Sequence, residues 1–306
     1  VLSTFYTVAT IKEDMLSPAA VSRQVEARRR EDPGYLTTKA VMLGALITKG
    51  EHLWLDRAHP QWQDALRILV ERMGEAGARE GANQLMLREF YGTPDPTLDR
   101  ALQDLGLVLV ELPKNSVVDD LGWPDLDAFL AGMPARYRSD LRREVLRHAD
   151  AFEAVTTPPQ TPAEVEACYR LYEAVFERAL DLNVHKLPLR YFESMCQHPD
   201  YDVLRLFLKG RPEAPVAVMF SFRGPETYHA MIVGLDYDLV TSHGTYKQAL
   251  FQTVLRARAL GAKRLDLAFT AEQVKKKVGA RAERTTAYVQ VQDHFHHAVL
   301  EAMAVA

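Results

Sequence analysis

Cysteine is nearly absent, with Cys168 and Cys196 the only two among 306 residues. Two thiols cannot build the disulfide framework of a small secreted domain, and their spacing is not that of metal ligands. Both read as small buried hydrophobes in a reducing compartment. Also missing is any apolar run near the ~20 residues that a membrane-spanning helix needs. The first residues carry no charged-then-apolar signal pattern, so a cytoplasmic protein is the expectation. The chain begins at Val1 rather than methionine, which leaves room for residues ahead of it. No excess of positive charge is present, the net charge being −4, and this argues against wrapping a nucleic-acid backbone as the main task. A Gly-rich nucleotide loop and a serine nucleophile elbow are both lacking, which argues against a covalent intermediate.

What the chain has is apolar residues, 47% of a length that suits one large or two ordinary domains. In the first half, YLTTKAVMLGALI predicts a strand pair or a strand and turn, and a helix follows from about Trp62 to Met73. ANQLMLREF reads as a strand, PTLDRALQDL as a short helix, and GLVLVELP as a strand ending at Pro113. Pro124 and Pro134 then suit the first turns of two successive helices. Beyond them AFEAVTTPP reads as a strand, two helices follow, and VLRLFLKG, APVAVMFSFRG and ETYHAMIVG read as three more strands. The expected class is α/β, of the α+β kind, with mixed sheets flanked by helices. Its expected segments are 1–123, a connecting Arg-rich helix over 124–150, and 151–306. The halves echo one another in element order without a residue-level repeat.

Residues 226–280 are the most informative. ETYHAMIVGLDYD alternates and then turns polar. TSHGTYKQALFQTVLRARALGA opens on helix-cap residues and keeps a helical apolar period to Gly261. KRLDLAF reads as a buried strand, and AEQVKKKVGA as a short basic helix closed by Gly279. Such a unit holds polar groups where strands end and helices begin, and the helix amino terminus suits an anion.

In order and spacing this stretch resembles the CelD-like branch of the GNAT acyltransferases, related to the Fem-type aminoacyl ligases and including bacterial ceramide synthase-like proteins. The resemblance is carried by Tyr228 and His229, Gly234 and Asp236, Ser242 and Gly244, Gly261 and Asp266, and Lys275 with Gly279. Upstream, RYRSDLRREVLRHADAFEAV is similar to the Arg-rich connecting helix and strand of the same family. The resemblance implies two tandem GNAT-like halves, and direct transfer in which an amine attacks a thioester carbonyl where two neighbouring strands splay apart.

That chemistry needs a group to take the ammonium proton, donors for the oxyanion and an acid for the leaving thiolate. His229, mid-strand beside the implied splay, is the candidate base; the alternative is a structural histidine hydrogen-bonded on the sheet. Asp236 and Asp266 are candidates to orient His229 or bind the amine. Asp236 equally suits a turn, whereas Asp266, between two leucines, needs a partner. Tyr246 or Tyr237 is the candidate acid, with packing as the alternative. Lys275, Arg138 and Arg142 are candidate contacts for substrate carboxylate or phosphate. The clusters they belong to, Arg136 to Arg147 and Lys275 to Arg284, also read as solvated helix faces.

Cofactor binding is where the sequence departs from the wider superfamily. In place of a Gly-rich pyrophosphate turn stands VTSHGTYK, in which Ser242, His243, Gly244 and Thr245 offer amides and hydroxyls to an anion or simply cap a helix. No permanently bound cofactor is expected, and a coenzyme A thioester is the implied cosubstrate. His294, His296 and His297 lack a metal-site pattern and read as a surface cluster. The leading expectation is an N-acyltransferase drawing on acyl-CoA or an acyl carrier protein and acting on a small amine or an amino-lipid such as a long-chain base. Peripheral contact with the inner membrane face is compatible with the latter, and no nucleic acid is expected. A Fem-type ligase using charged tRNA, and a non-catalytic binding module, are the alternatives.

Overall fold

The computed structural model describes residues 1–178 and 182–291; the histidines at 294, 296 and 297 lie outside them. The chain divides into two compact units, one of Val1–Lys114, Asp181–His185 and Glu283–Ala306, the other of Asn115–Leu180 and Lys186–Ala282.

The first unit contains β1 (Leu2–Thr4), β2 (Tyr6–Lys12), α1 (Ala19–Arg29), β3 (Thr37–Leu43), β4 (Leu53–Leu55), α2 (Trp62–Glu80), β5 (Gln84–Tyr91), α3 (Pro96–Asp104) and the start of β6 (Val108–Val118). β2 runs antiparallel to β3, and β3 parallel to β5 across the α2 crossover. α2 buries Leu66, Leu69, Val70, Met73 and Ala76 at helical spacing, and it ends at Gly81 in the left-handed conformation. It continues past Met73, where the sequence pattern ends it, through Gly74 and Gly77. Each glycine costs a helix interior about 1 kcal/mol. Gly77 is offset by close packing, since a Cβ there stands 3.2 Å from Val41 Cγ1.

The second unit contains the end of β6, then α4 (Leu126–Gly132), α5 (Ala135–Glu144), β7 (Phe152–Val155), α6 (Pro162–Arg178), α7 (Leu189–Gln197), β8 (Tyr201–Leu208), β9 (Ala217–Arg223), β10 (Thr227–Leu235), α8 (Tyr237–His243), α9 (Thr245–Ala259), β11 (Arg264–Asp266) and α10 (Glu272–Lys276). β12 (Arg281–Val291) leaves this unit and pairs antiparallel with β5 in the first. β7 to β10 form an antiparallel ladder, β10 pairs parallel with β11, and β11 pairs antiparallel with Val117 and Val118 of β6. The mixed α/β class is therefore as the pattern predicts.

Helices cover both faces of this sheet. On one, Leu250, Phe251 and Val254 of α9 pack with Leu204, Leu206 and Met219; full burial of each such side chain contributes ~1.5–3 kcal/mol. On the other, α6 and α7 bring Cys168, Tyr172 and Phe192 onto Val203 and Phe220. Gly234 is what lets α6 lie so close to β10, because a Cβ there meets the Tyr172 backbone nitrogen at 2.7 Å.

Three local outcomes differ from the sequence pattern. β6 runs on past Pro113 to Val118: Pro113 removes one ladder donor, but Ser116 bonds through its N–H to Ala268 O and through its carbonyl to the Leu267 N–H. Pro124 stands before the Asp125 cap of α4 rather than inside its first turn. One long helix from Ser242 is replaced by two, α8 capped by Asp236 and α9, hinged at Gly244 with φ +65°.

Candidate active site

Parallel pairing of β10 with β11 covers Thr227↔Arg264, Tyr228↔Leu265 and His229↔Asp266, and then stops. β10 runs on to Leu235, with a bulge between Ala230 and Ile232 that leaves Met231 outside the β9 register. The strands part just beyond His229 and Asp266. Side chains alternate along a strand, so Tyr228 joins the α9 face while His229 points to the α6–α7 face, beside Phe222 at 6.3 Å between ring centroids.

His229 Nδ1 lies 3.3 Å from Asp266 Oδ2, with side chains 14% and 4% exposed. An ionised carboxylate only accepts, so Nδ1 carries the hydrogen and Nε2 is the basic lone pair. Nε2 looks toward Gly224, where an added Cβ stands 3.5 Å away. Asp266 Oδ1 accepts from the Ala268 N–H at 2.6 Å. One carboxylate thus fixes both an imidazole tautomer and the turn after β11.

The other sequence candidates are placed as follows. Asp236 Oδ1 accepts from the Asp238 N–H and caps α8. Tyr246 opens α9 on the core-facing side with Tyr228, across the sheet from His229, and burial pushes its phenol up to about 12. Tyr237 also packs against that core. Ser242 Oγ lies 2.9 Å from His243 Nδ1. The Thr245 hydroxyl turns back to Leu239 O at 2.8 Å, and Gly244 sits against Glu144 O, which a Cβ meets at 3.1 Å. The α9 amino terminus is thereby packed on the end of α5, where Gln248 Nε2 donates to Val145 O.

Basic side chains are mostly paired. Lys275 is buried, 3% exposed, and its Nζ donates to Phe269 O at 2.7 Å and Ala268 O at 3.1 Å. Lys276 pairs with Glu272, Lys277 with Glu144 and Asp140, Arg281 with Asp119, and Arg284 with Glu111. Hydrogen bonds from Lys247 first, then Arg143 and Lys277, outweigh burial and hold Glu144 down to about 2. Arg138 reaches Leu130 O at 3.5 Å. Exposed Arg136 and Arg142 make no ion pair with the described residues.

The sequence reading overlooks Asp202 and Arg256. Arg256 grips Asp202 through two bonds of 2.9 and 2.8 Å, and the Tyr228 hydroxyl donates to the same carboxylate at 2.7 Å. This ties β8, β10 and α9 together directly behind His229. The signal was present in Tyr228 preceding His229, but its partners lie 26 and 28 residues away.

Residues 135–276 match the family model described as Acetyltransferase (GNAT) domain. No curated protein matches the chain significantly. Among solved structures, the C-terminal domain of a putative lysylphosphatidylglycerol synthetase from Agrobacterium fabrum is similar at TM-score 0.54 and 13% identity, over 87% of this chain and 82% of that one. FemX is similar at 0.56 and 11%, over 87% and 83%. A tandem GNAT protein from the clavulanic acid biosynthesis pathway is similar at 0.51 and 12%, over 94% and 99%. At such identities these likenesses show the fold. Residues 135–276 are thus similar to the acetyltransferase (GNAT) domain, and the chain shares a mixed α/β fold with tandem GNAT-like structures.

Proposed function

We propose that the second unit transfers an acyl group from a thioester to an amine, at the point where β10 and β11 part. The observation that carries this is the His229–Asp266 couple at that parting. The acceptor enters as an ammonium and gives one proton to His229 Nε2. Its nitrogen then bonds to the thioester carbonyl carbon, and as the carbon–sulfur bond breaks the nitrogen gives up its second proton, which through solvent restores the one that Tyr246 spends on the thiolate. The Met231 amide, outside the β9 register, is the expected oxyanion donor. Tyr246, kept protonated by burial, returns a proton to the thiolate from the other face of the gap. Placement in the CelD-like branch rests on the residue pattern from Tyr228 to Gly279, and from it comes an amino-lipid or other long-chain amine as acceptor, met at a membrane surface. Among the described residues no helix is long and apolar enough to cross a membrane.

The donor divides two readings. Acyl-CoA or an acyl carrier protein suits a net acidic chain with two exposed arginines, Arg136 and Arg142, on α5. A Fem-type ligase drawing on charged tRNA is favoured by one specific observation: α8 stands where a pyrophosphate turn is expected, and the α9 amino terminus is packed on Glu144 and Val145. The test offers palmitoyl-CoA, a palmitoyl carrier protein and lysyl-tRNA in turn to the purified chain with a long-chain amine, with and without ribonuclease. N-acylation from a thioester, insensitive to ribonuclease and lost in His229→Ala, is the expected result. Transfer from tRNA alone establishes the second reading.

A further inference from the structure

Beyond Asp266 the backbone is strained. Ala268, Thr270 and Ala271 have φ of 61°, 71° and 46°, and none is glycine. Such a residue is costly and persists only where its surroundings over-determine it. A β-branched threonine in this region is rarer still.

The surroundings are visible. Ser116 N donates to Ala268 O at 3.1 Å, and Asp266 Oδ1 holds the Ala268 N–H from the other side. The main-chain nitrogens of Val274 and Lys275 return to Ala271 O, starting α10 on the strained residue. Through the middle passes the Lys275 side chain, whose buried ammonium donates to the Ala268 and Phe269 carbonyls. A cation among aligned carbonyls is a charge-assisted contact, stronger than a neutral one. The turn it grips shares Asp266 with His229.

We propose that Lys275 is a positioning residue: by clamping the strained 268–271 turn it aims the Asp266 carboxylate at His229 Nδ1, and so keeps Nε2 as the proton acceptor. This rests on the reading of His229 and Asp266 as the reacting pair. It gives the lysine a role through other groups rather than on substrate. Strain supplies the reason a clamp is needed: without the ammonium, the turn relaxes toward ordinary φ and takes the Ala268 amide away from Asp266.

The test compares the natural sequence with Lys275→Met and with Lys275→Met/Thr270→Gly/Ala271→Gly, in which glycine removes the strain at positions 270 and 271. Nitrogen-15 spectra of neutral His229, taken at alkaline pH, report the tautomer, and hydrogen exchange reports the Ala268 amide. The expected results are an Nδ1–H tautomer in the natural sequence, conversion to mainly Nε2–H in Lys275→Met with exchange at Ala268 faster by about tenfold or more, and recovery of both in the triple variant. If Lys275→Met fails to fold, the triple variant should fold; failure there too overturns the proposal. So does an unchanged tautomer and unchanged exchange in Lys275→Met, whatever happens to turnover. Neither spectrum depends on activity. If the tautomer behaves as expected while His229→Ala keeps full turnover, the clamp stands and the assigned function falls.

Discussion

Two parallel strand pairs, one in each unit, begin alike and end differently. β3 and β5 pair from Ala40↔Gln84 to Met42↔Met86, and β10 and β11 from Thr227↔Arg264 to His229↔Asp266. Beyond each pairing stands a left-handed non-glycine residue, Glu89 at φ 63° and Ala268 at φ 61°, and near each lies a buried carboxylate, Glu89 itself in one case and Asp266 in the other. In the first unit the loop after β3 closes over this end: the Gly50 N–H and Tyr91 hydroxyl donate to Glu89, Lys49 stands 3.6 Å away, and Arg88 pairs with Glu89 while donating to Ala45 O. In the second unit the carboxylate faces an imidazole instead. The same backbone device makes an ion-paired lock when its carboxylate meets fixed cations, and holds an imidazole by one ring nitrogen when it meets His229.

The comparison breaks most sharply if the two carboxylates are exchanged in effect. His229→Ala is expected to lower turnover by ~10²-fold or more, the scale of general-base loss, with the melting temperature little changed. Asp266→Asn should follow it in direction, because an amide no longer fixes the tautomer. Glu89→Gln should do the reverse, leaving kcat intact while costing about 3–5 kcal/mol, since Arg88 and Lys49 lose a buried counter-charge. Denaturant titration and steady-state kinetics on the same three variants decide it; a kinetic defect in Glu89→Gln would make the first unit part of the chemistry.

A smaller effect sharpens the second-unit half. Tyr246→Phe should reduce kcat by about tenfold with a thioester donor and hardly at all with an activated ester whose leaving group needs no proton. Equal loss with both donors would mean that the ring packs and the hydroxyl does no chemistry.

How much of this was legible follows from the range of each interaction. His229 and Asp266 stood out because polar residues inside apolar strands require explanation, and strand order alone places them opposite one another. The lock around Glu89 did not, because its long-range contacts come from a loop 39 to 43 residues earlier with no periodicity of its own. The split at Gly244 was hidden for another reason. Asp236 and Gly244 are each good cap residues, but Leu239 and Val240 lack enough apolar neighbours to announce a separate seven-residue helix. Lys275 reads as a substrate contact or, like most short basic runs, as a solvated lysine, and only the strained turn beside it gives its ammonium a buried place to go.

Each unit has a carboxylate that ties its stability to acid. Glu26 and Glu144 are both held down to about 2 from 4.5. At Glu26 burial pushes upward, and hydrogen bonds from Lys12, Asn183 and Arg29 outweigh it. A carboxylate whose folded value is depressed stabilises the fold above its unfolded value and loses that contribution as pH falls. Both units should therefore weaken between about pH 4.5 and about 2, and calorimetric melting across that window should show it. Glu26→Gln and Glu144→Gln should each flatten part of the slope. An unchanged slope in Glu26→Gln would mean that the Lys12–Asn183–Arg29 contacts hold no charge-dependent stability.

The smallest effects concern the arginines. Arg136 and Arg142 on α5, and Arg23 on α1 in the other unit, make no ion pair with the described residues, so alanine at each should change stability by no more than about 0.5 kcal/mol. If α5 meets donor phosphates, Arg136→Ala/Arg142→Ala should raise KM for acyl-CoA severalfold at low salt and leave kcat alone, with the difference fading as salt screens the contact. Arg23→Ala should do nothing at any salt. A thioester donor presents a few phosphates and a charged tRNA many, so the slope of binding against salt separates them: a shallow slope, made shallower by the double substitution, fits a compact donor held by two arginines. A steep slope that the substitution scarcely alters would place the donor's contacts elsewhere on the protein and favour the tRNA reading.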